Sequence, residues 1–174
     1  MKFSFRLFVL MGLFLPLYAH GGGNPDFVKF PEGYEEIFTQ YSVGNRTNGT
    51  QLAKFYANKT ALESYKKGEE AAHGSVVIME IYEPKKDADG KIMSGKDGLF
   101  KIDKLAAVAV MEKRNDWDGA FQPANRTGDW GFAVYNPDGT AKSNDLNCVQ
   151  CHLPLKQQDH LFTFQKLVDY ATNH

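Results

Sequence analysis

The chain has 174 residues, with 20 lysines and arginines against 21 aspartates and glutamates and only two cysteines. That length suits one domain with a proper core, and the composition, 43% hydrophobic and 13% aromatic, is that of a globular protein. The near-neutral charge argues against nucleic acid or a polyanionic surface as partner.

Residues 1–19 read as a secretory signal peptide. Lys2 and Arg6 supply the positive start, Leu7 to Leu17 the apolar core, and Ala19 the small residue before the cut. The apolar run is too short to span a bilayer, and no cysteine lies near the cut, so no membrane anchor is expected after cleavage. The expected compartment is the periplasm, and loss of Lys2 and Arg6 takes the formal charge to about −3. Residues 20–30, with Gly21-Gly22-Gly23-Asn24-Pro25, are expected to be a flexible tail, and 31–174 a single domain. A freed His20 amine and imidazole could chelate copper, but ordering such a tail costs entropy without an evident partner.

Pro31-Glu32-Gly33-Tyr34 opens a short helical stretch to about Gln40, with Tyr34, Ile37, Phe38 and Tyr41 spaced for one buried face. A polar loop over 45–50 leads into a strand over 50–57. A helix starts near Thr60, where Thr60 and Glu63 form a capping box, and stops at Gly68. The clearest strand is 75–83, with Val77, Met79 and Ile81 on one face and Val76, Ile78 and Tyr82 on the other; two apolar faces make it central. A solvated hairpin connection follows over 84–98. Asp87, Asp89 and Gly90 echo a calcium loop, but the remaining ligands are missing and a turn is expected. Residues 99–113 form a second long strand, 116–124 are short and irregular or helical, and 130–135 form a third strand closed by the Asn136-Pro137-Asp138-Gly139 turn. The last element is a helix over 161–171, with Leu161, Phe164, Leu167, Val168 and Ala171 toward the core. The order predicts an α+β fold, a mainly antiparallel sheet with short packing helices.

Both cysteines stand in Cys148-Val149-Gln150-Cys151-His152. Cys-x-x-Cys-His is the attachment signature of a c-type haem: each thiol adds across a porphyrin vinyl group, and the adjacent imidazole becomes the proximal iron ligand. Cys148 and His152, four apart, share one face of a helix. Three other uses of the pair fit less well. A thioredoxin-like couple needs a strand–helix–strand unit, whereas 136–147 is turn-rich and polar. Zinc on Cys148, Cys151, His152 and His160 would lack the usual two separated ligand pairs. A disulfide would close too small a loop to stabilise much. His73, His160 and His174 read as surface imidazoles.

Phe30-Pro31-Glu32-Gly33-Tyr34, Tyr56-Ala57-Asn58, Ala61-Leu62-Glu63-Ser64-Tyr65, Gly74-Ser75-Val76-Val77, Asp129-Trp130-Gly131-Phe132 and the cysteine motif follow one another in an order that resembles the cytochrome P-460 and cytochrome c′-beta family. The resemblance implies a small homodimer of antiparallel-sheet subunits, each with one covalently attached haem c whose distal side is open or weakly occupied. P-460 members oxidise hydroxylamine at a haem cross-linked to a lysine ending a Gly-x-Val-x-Val-Lys strand. In the matching strand, Gly74 to Met79, Met79 stands where that lysine would be. The resemblance also puts Ala109 and Ala53 where the enzyme-type pocket has an acidic residue and an arginine.

Neither methionine nor alanine can take protons from an iron-bound nitrogen substrate, so no catalytic residue is assigned. An apolar distal cavity favours small neutral ligands such as nitric oxide, with Phe38 and Phe55 as candidates to cap it. Met79 could instead ligate the iron, or simply fill space. The expectation is a periplasmic mono-haem cytochrome that binds a small gas through a pentacoordinate iron on His152, with electron exchange with a periplasmic redox partner as an extension. A hydroxylamine-oxidising enzyme and a His/Met electron carrier are the alternatives.

Overall fold

The computed structural model describes residues 23–117, 119 and 121–174. The signal-peptide and His20 readings lie outside the described residues. Five strands, β1 (Thr39–Asn45), β2 (Leu52–Ala57), β3 (Ser75–Pro84), β4 (Ile102–Lys113) and β5 (Trp130–Tyr135), pair antiparallel in sequence order. Among the described residues four α-helices accompany them: α1 (Tyr34–Ile37), α2 (Lys59–Lys66), α3 (Cys148–His152) and α4 (Phe164–Asn173). This is the expected α+β architecture. Among the described residues no helix is long and apolar enough to cross a membrane.

Because side chains alternate along each strand, the pairing register sorts them into two faces. One carries three cross-strand rows: Ala57, Val77, Met111 and Phe132; then Phe55, Met79, Ala109 and Val134; then Ala53, Ile81 and Ala107. We call it the alanine face. Its first row lies under α2 and α4, where Tyr65, Leu167 and Ala171 complete a core cluster with Trp130. The other, the tyrosine face, carries Tyr56, Ile78, Val108, Val110, Ala133 and Tyr135, closed over by Val28, Phe30 and Tyr34. Close approach there explains Gly131: a Cβ would meet Val28, Phe121 and Trp117 at 2.7–2.9 Å.

Several expectations are corrected. Residues 23–30 are no flexible tail: Asn24 N–H donates to the Phe132 carbonyl at 2.7 Å, Phe27 stacks on Phe121 at 4.6 Å, and Val28 is completely buried. The helix expected to about Gln40 ends at Ile37, where Phe38 turns extended, and Ile37 is 68% exposed. The chain then enters β1, an edge strand with a register shift between Gln40 and Ser42. The shift breaks the two-residue period, which hides the strand from pattern reading. Helix α2 is capped by Asn58, not by Thr60: its side-chain oxygen accepts from Ala61 N–H and Val76 N–H at 3.0 and 3.1 Å, while its amide donates to the Gly74 carbonyl. One side chain thus fixes the start of α2 and its docking on β3.

Candidate functional site

The cysteine motif folds as the single helical turn α3. Asn147 starts it, its side chain accepting from Gln150 N–H at 3.0 Å, and Pro154, which has no N–H to give, opens the 3-10 segment that follows. Cys148 packs half-buried against the α2/α4 core cluster and Cys151 is exposed; neither is paired in a disulfide. Burial pushes the Cys148 thiol up to about 11. A thioredoxin-type pair needs a thiol held well below its ordinary value, and the antiparallel sheet offers no strand–helix–strand unit around the motif.

His152 is half-buried between the rings of Phe132 and Phe162, each 4.9 Å away by centroid. Its Nδ1 lies 2.7 Å from the His160 carbonyl. A carbonyl only accepts, so Nδ1 carries the proton and Nε2 keeps its lone pair. Burial lowers the pKa of the imidazole, with the His160 carbonyl partly offsetting this, and so favours the neutral, metal-binding form.

The carbonyl that orients His152 belongs to an unusual reversal. Asp159 and His160 both adopt left-handed backbone, φ 46° and 60°, and are the only described non-glycine residues with positive φ. Such a conformation costs an L residue roughly 1–2 kcal/mol. His160 is not the surface imidazole expected: half-buried, it returns a bond from its Nδ1 to the His152 carbonyl at 3.1 Å. The Asp159 carboxylate is 6% exposed and accepts four donors: Tyr65 Oη and Ala71 N–H at 2.8 Å on Oδ2, Lys113 Nζ at 2.7 Å and Trp130 Nε1 at 3.0 Å on Oδ1. Burial and this carboxylate together push the Tyr65 hydroxyl's pKa well up. Nothing in the local sequence pattern marks Asp159, because its donors come from four distant segments.

The sheet brings four of the five expected distal residues onto one surface. Met79 sits between Phe55 and Ala109 in a cross-strand row, all three half-buried, with Ala53 buried in the next row. Phe38 does not join them. It packs on the tyrosine face with its ring 6.5 Å from that of Tyr34, a correction that follows from α1 ending at Ile37, just before Phe38.

Behind Met79, on the tyrosine face, lies a group the sequence reading passed over. Glu80 is 3% exposed and accepts the hydroxyls of Tyr34, Tyr56 and Tyr82 at 2.8, 2.9 and 2.7 Å. Desolvation first, then the bond to Glu80, raises the pKa of all three tyrosines. A lone acid inside the apolar run Val76 to Tyr82 was the available signal.

The donor set fits an iron porphyrin. Two thiols, one neutral imidazole with a free nitrogen and an adjoining apolar surface are what such a group requires. A bare ion is served less well: among the described residues no three His, Cys, Asp or Glu side chains gather as it would need. A polar groove of about 710 Å³ near the 84–103 hairpin contains none of these residues and is unrelated to that chemistry. A family model described as Cytochrome P460 matches residues 31–163, a span that holds all five strands, the motif and the Asp159–His160 reversal. No curated protein matches the chain.

Proposed function

The chain belongs to the cytochrome P460 family, and from that premise we propose that it is a mono-haem c-type cytochrome that binds nitric oxide or a similar small neutral gas. The family makes it a haem-binding protein. In our reading the thiols of Cys148 and Cys151 form the two thioether links, His152 Nε2 takes the iron, and the alanine face around Met79 borders the open side. When bound, the iron supplies gas binding and one-electron exchange.

The observation that carries the reading is the character of the row Phe55, Met79, Ala109 and Val134: apolar throughout, with no side chain able to take or give a proton. Hydroxylamine oxidation at a cross-linked haem needs an amine there. The three strand lysines are engaged elsewhere: Lys54 lies over the Tyr82 ring, Lys104 pairs with Glu83, and Lys113 with Asp159 and Glu70. Met79 favours one further reading, the His/Met electron carrier, since it does lie on the alanine face. Export to the periplasm and a homodimer complete the proposal.

Intact mass and visible spectra test it. The expected outcome is a mass increase of one haem without any link beyond the two thioethers, a five-coordinate spectrum, and nitric oxide uptake by the ferrous protein. A cross-linked, red-shifted spectrum would favour the enzyme, and six-coordinate low-spin iron the carrier.

A further inference from the structure

The geometry points to Asp159 as a positioning residue for the iron ligand: its four-donor knot locks the reversal that aims the His160 carbonyl at His152 Nδ1–H. The inference rests on the reading of His152 as the haem ligand and adds what sets the strength of that ligand.

The His152 ring is held by two contacts of different kinds. Phe132 and Phe162 confine it in space, but rings 4.9 Å away do not define the direction of its N–H. Direction comes from the carbonyl of His160, 2.7 Å away. That carbonyl is set by two successive left-handed residues, neither of them glycine, a conformation that persists only where the surroundings over-determine it. The surroundings that do so converge on the Asp159 side chain. Tyr65 comes from α2, Ala71 from the connection to β3, Lys113 from the end of β4 and Trp130 from the start of β5. The reversal is therefore anchored to the rigid body of the fold as well as to its own loop. Three local bonds finish it, Asp159 N–H to the Lys156 carbonyl at 3.2 Å and His160 N–H to the Leu155 carbonyl and Leu161 N–H to the Gln158 carbonyl, both at 2.9 Å.

A firmly held acceptor on Nδ1–H makes the imidazole a stronger electron donor through Nε2 and stabilises the ferric state relative to the ferrous. A slack acceptor does the reverse. Asp159 thus acts on the iron only through the His160 backbone.

The test compares two variants of the haem-loaded protein. Asp159→Gly removes the carboxylate and keeps the left-handed backbone easy, because glycine adopts it freely. Asp159→Asn keeps the volume but turns an amide toward donors that need an acceptor. Both are expected to shift the iron–histidine stretching band of the ferrous protein to lower frequency and to raise the midpoint potential, with Tyr65→Phe, which removes one donor of four, shifting less. An unchanged band and potential in both Asp159 variants would overturn the inference. If neither yields folded protein, the Tyr65→Phe/Trp130→Phe pair, which removes one donor from each oxygen, carries the test, and no shift there overturns it. Absence of any iron–histidine band from the unaltered protein is a separate result, because it removes His152 as the ligand.

Discussion

The two faces of the sheet come from the same five strands and end with opposite capacities. On the tyrosine face the rings of Tyr34, Tyr56, Phe30 and Tyr135 meet edge to face at 5.3–5.9 Å, the buried acid Glu80 accepts the hydroxyls of Tyr34, Tyr56 and Tyr82, and that of Tyr135 donates to the Val28 carbonyl. On the alanine face the rows Phe55, Met79, Ala109, Val134 and Ala53, Ile81, Ala107 carry alanine at three of seven positions. A face whose polar and apolar needs are met by the chain itself has nothing left to offer a ligand. On the alanine face Phe55, Met79 and Ala109 stay half-buried, which leaves apolar area for something the chain does not supply, and the motif helix stands near it, Cys148, Phe55 and Met111 each packing against the buried cluster that holds Phe132.

The most damaging way to break this contrast is to empty the acid from the filled face. Glu80→Ala would leave the Tyr34 and Tyr56 hydroxyls buried without an acceptor and Tyr82 partly so. At about 1–3 kcal/mol for each stranded group, the expected loss is about 3–5 kcal/mol. For a chain of this size that lowers the unfolding midpoint by roughly 10–15 °C, read by circular dichroism. Haem attachment under permissive conditions should survive, since Glu80 points away from the motif. A change of under about 1 kcal/mol would show that the tyrosine cluster is not the structural half of the sheet.

A smaller effect, and a more direct comparison, comes from enlarging neighbouring residues on opposite faces. Val108 is completely buried on the tyrosine face, whereas Ala109 is half-buried on the other. Val108→Phe is expected to cost about 1–3 kcal/mol by overpacking, while leaving gas binding unchanged in whatever fraction folds. Ala109→Phe should cost the chain less, under about 1 kcal/mol, because Ala109 is only half-buried, and should instead slow or abolish nitric oxide binding. Chemical denaturation paired with stopped-flow mixing separates the two. Equal destabilisation by both substitutions would sink the division into a filled and an open face.

These residues also mark how far the sequence could be read. β3 was legible because seven residues from Val76 to Tyr82 alternate between two apolar faces, and its partners followed from the same period; the row through Met79 and Ala109 is that alternation made physical. The motif was legible because its chemistry is local: two thiols and an imidazole within five residues. What escaped were contacts closed over long stretches of chain. β1 was hidden by one register shift, and Phe38 was misplaced because the helix before it stops early. Asp159 meets Tyr65 across 94 residues and Lys113 across 46, pairings that no periodicity encodes. The anchoring of residues 23–30 through buried Val28 escaped for the same reason, since the Tyr135 hydroxyl that fixes the Val28 carbonyl lies 107 residues away.

The smallest expected effect concerns the imidazole at the edge of the alanine face. Burial lowers the pKa of His152 below its ordinary 6.5, so in a chain without haem the unfolded state takes up the proton before the folded state does. Stability from the neutral ring is fully present above that value and is lost as pH falls through it toward the lower folded value. In a Cys148→Ser/Cys151→Ser chain the unfolding midpoint should therefore drop between pH 7 and pH 5, and a further His152→Gln substitution should flatten that part of the drop, leaving what other groups contribute. Iron on Nε2 would hold the ring neutral by competing with the proton, so the haem-loaded protein should lose less across the same interval. An identical slope with and without haem would mean that the ring is not the iron's ligand, and the alanine face would then be open for some other reason.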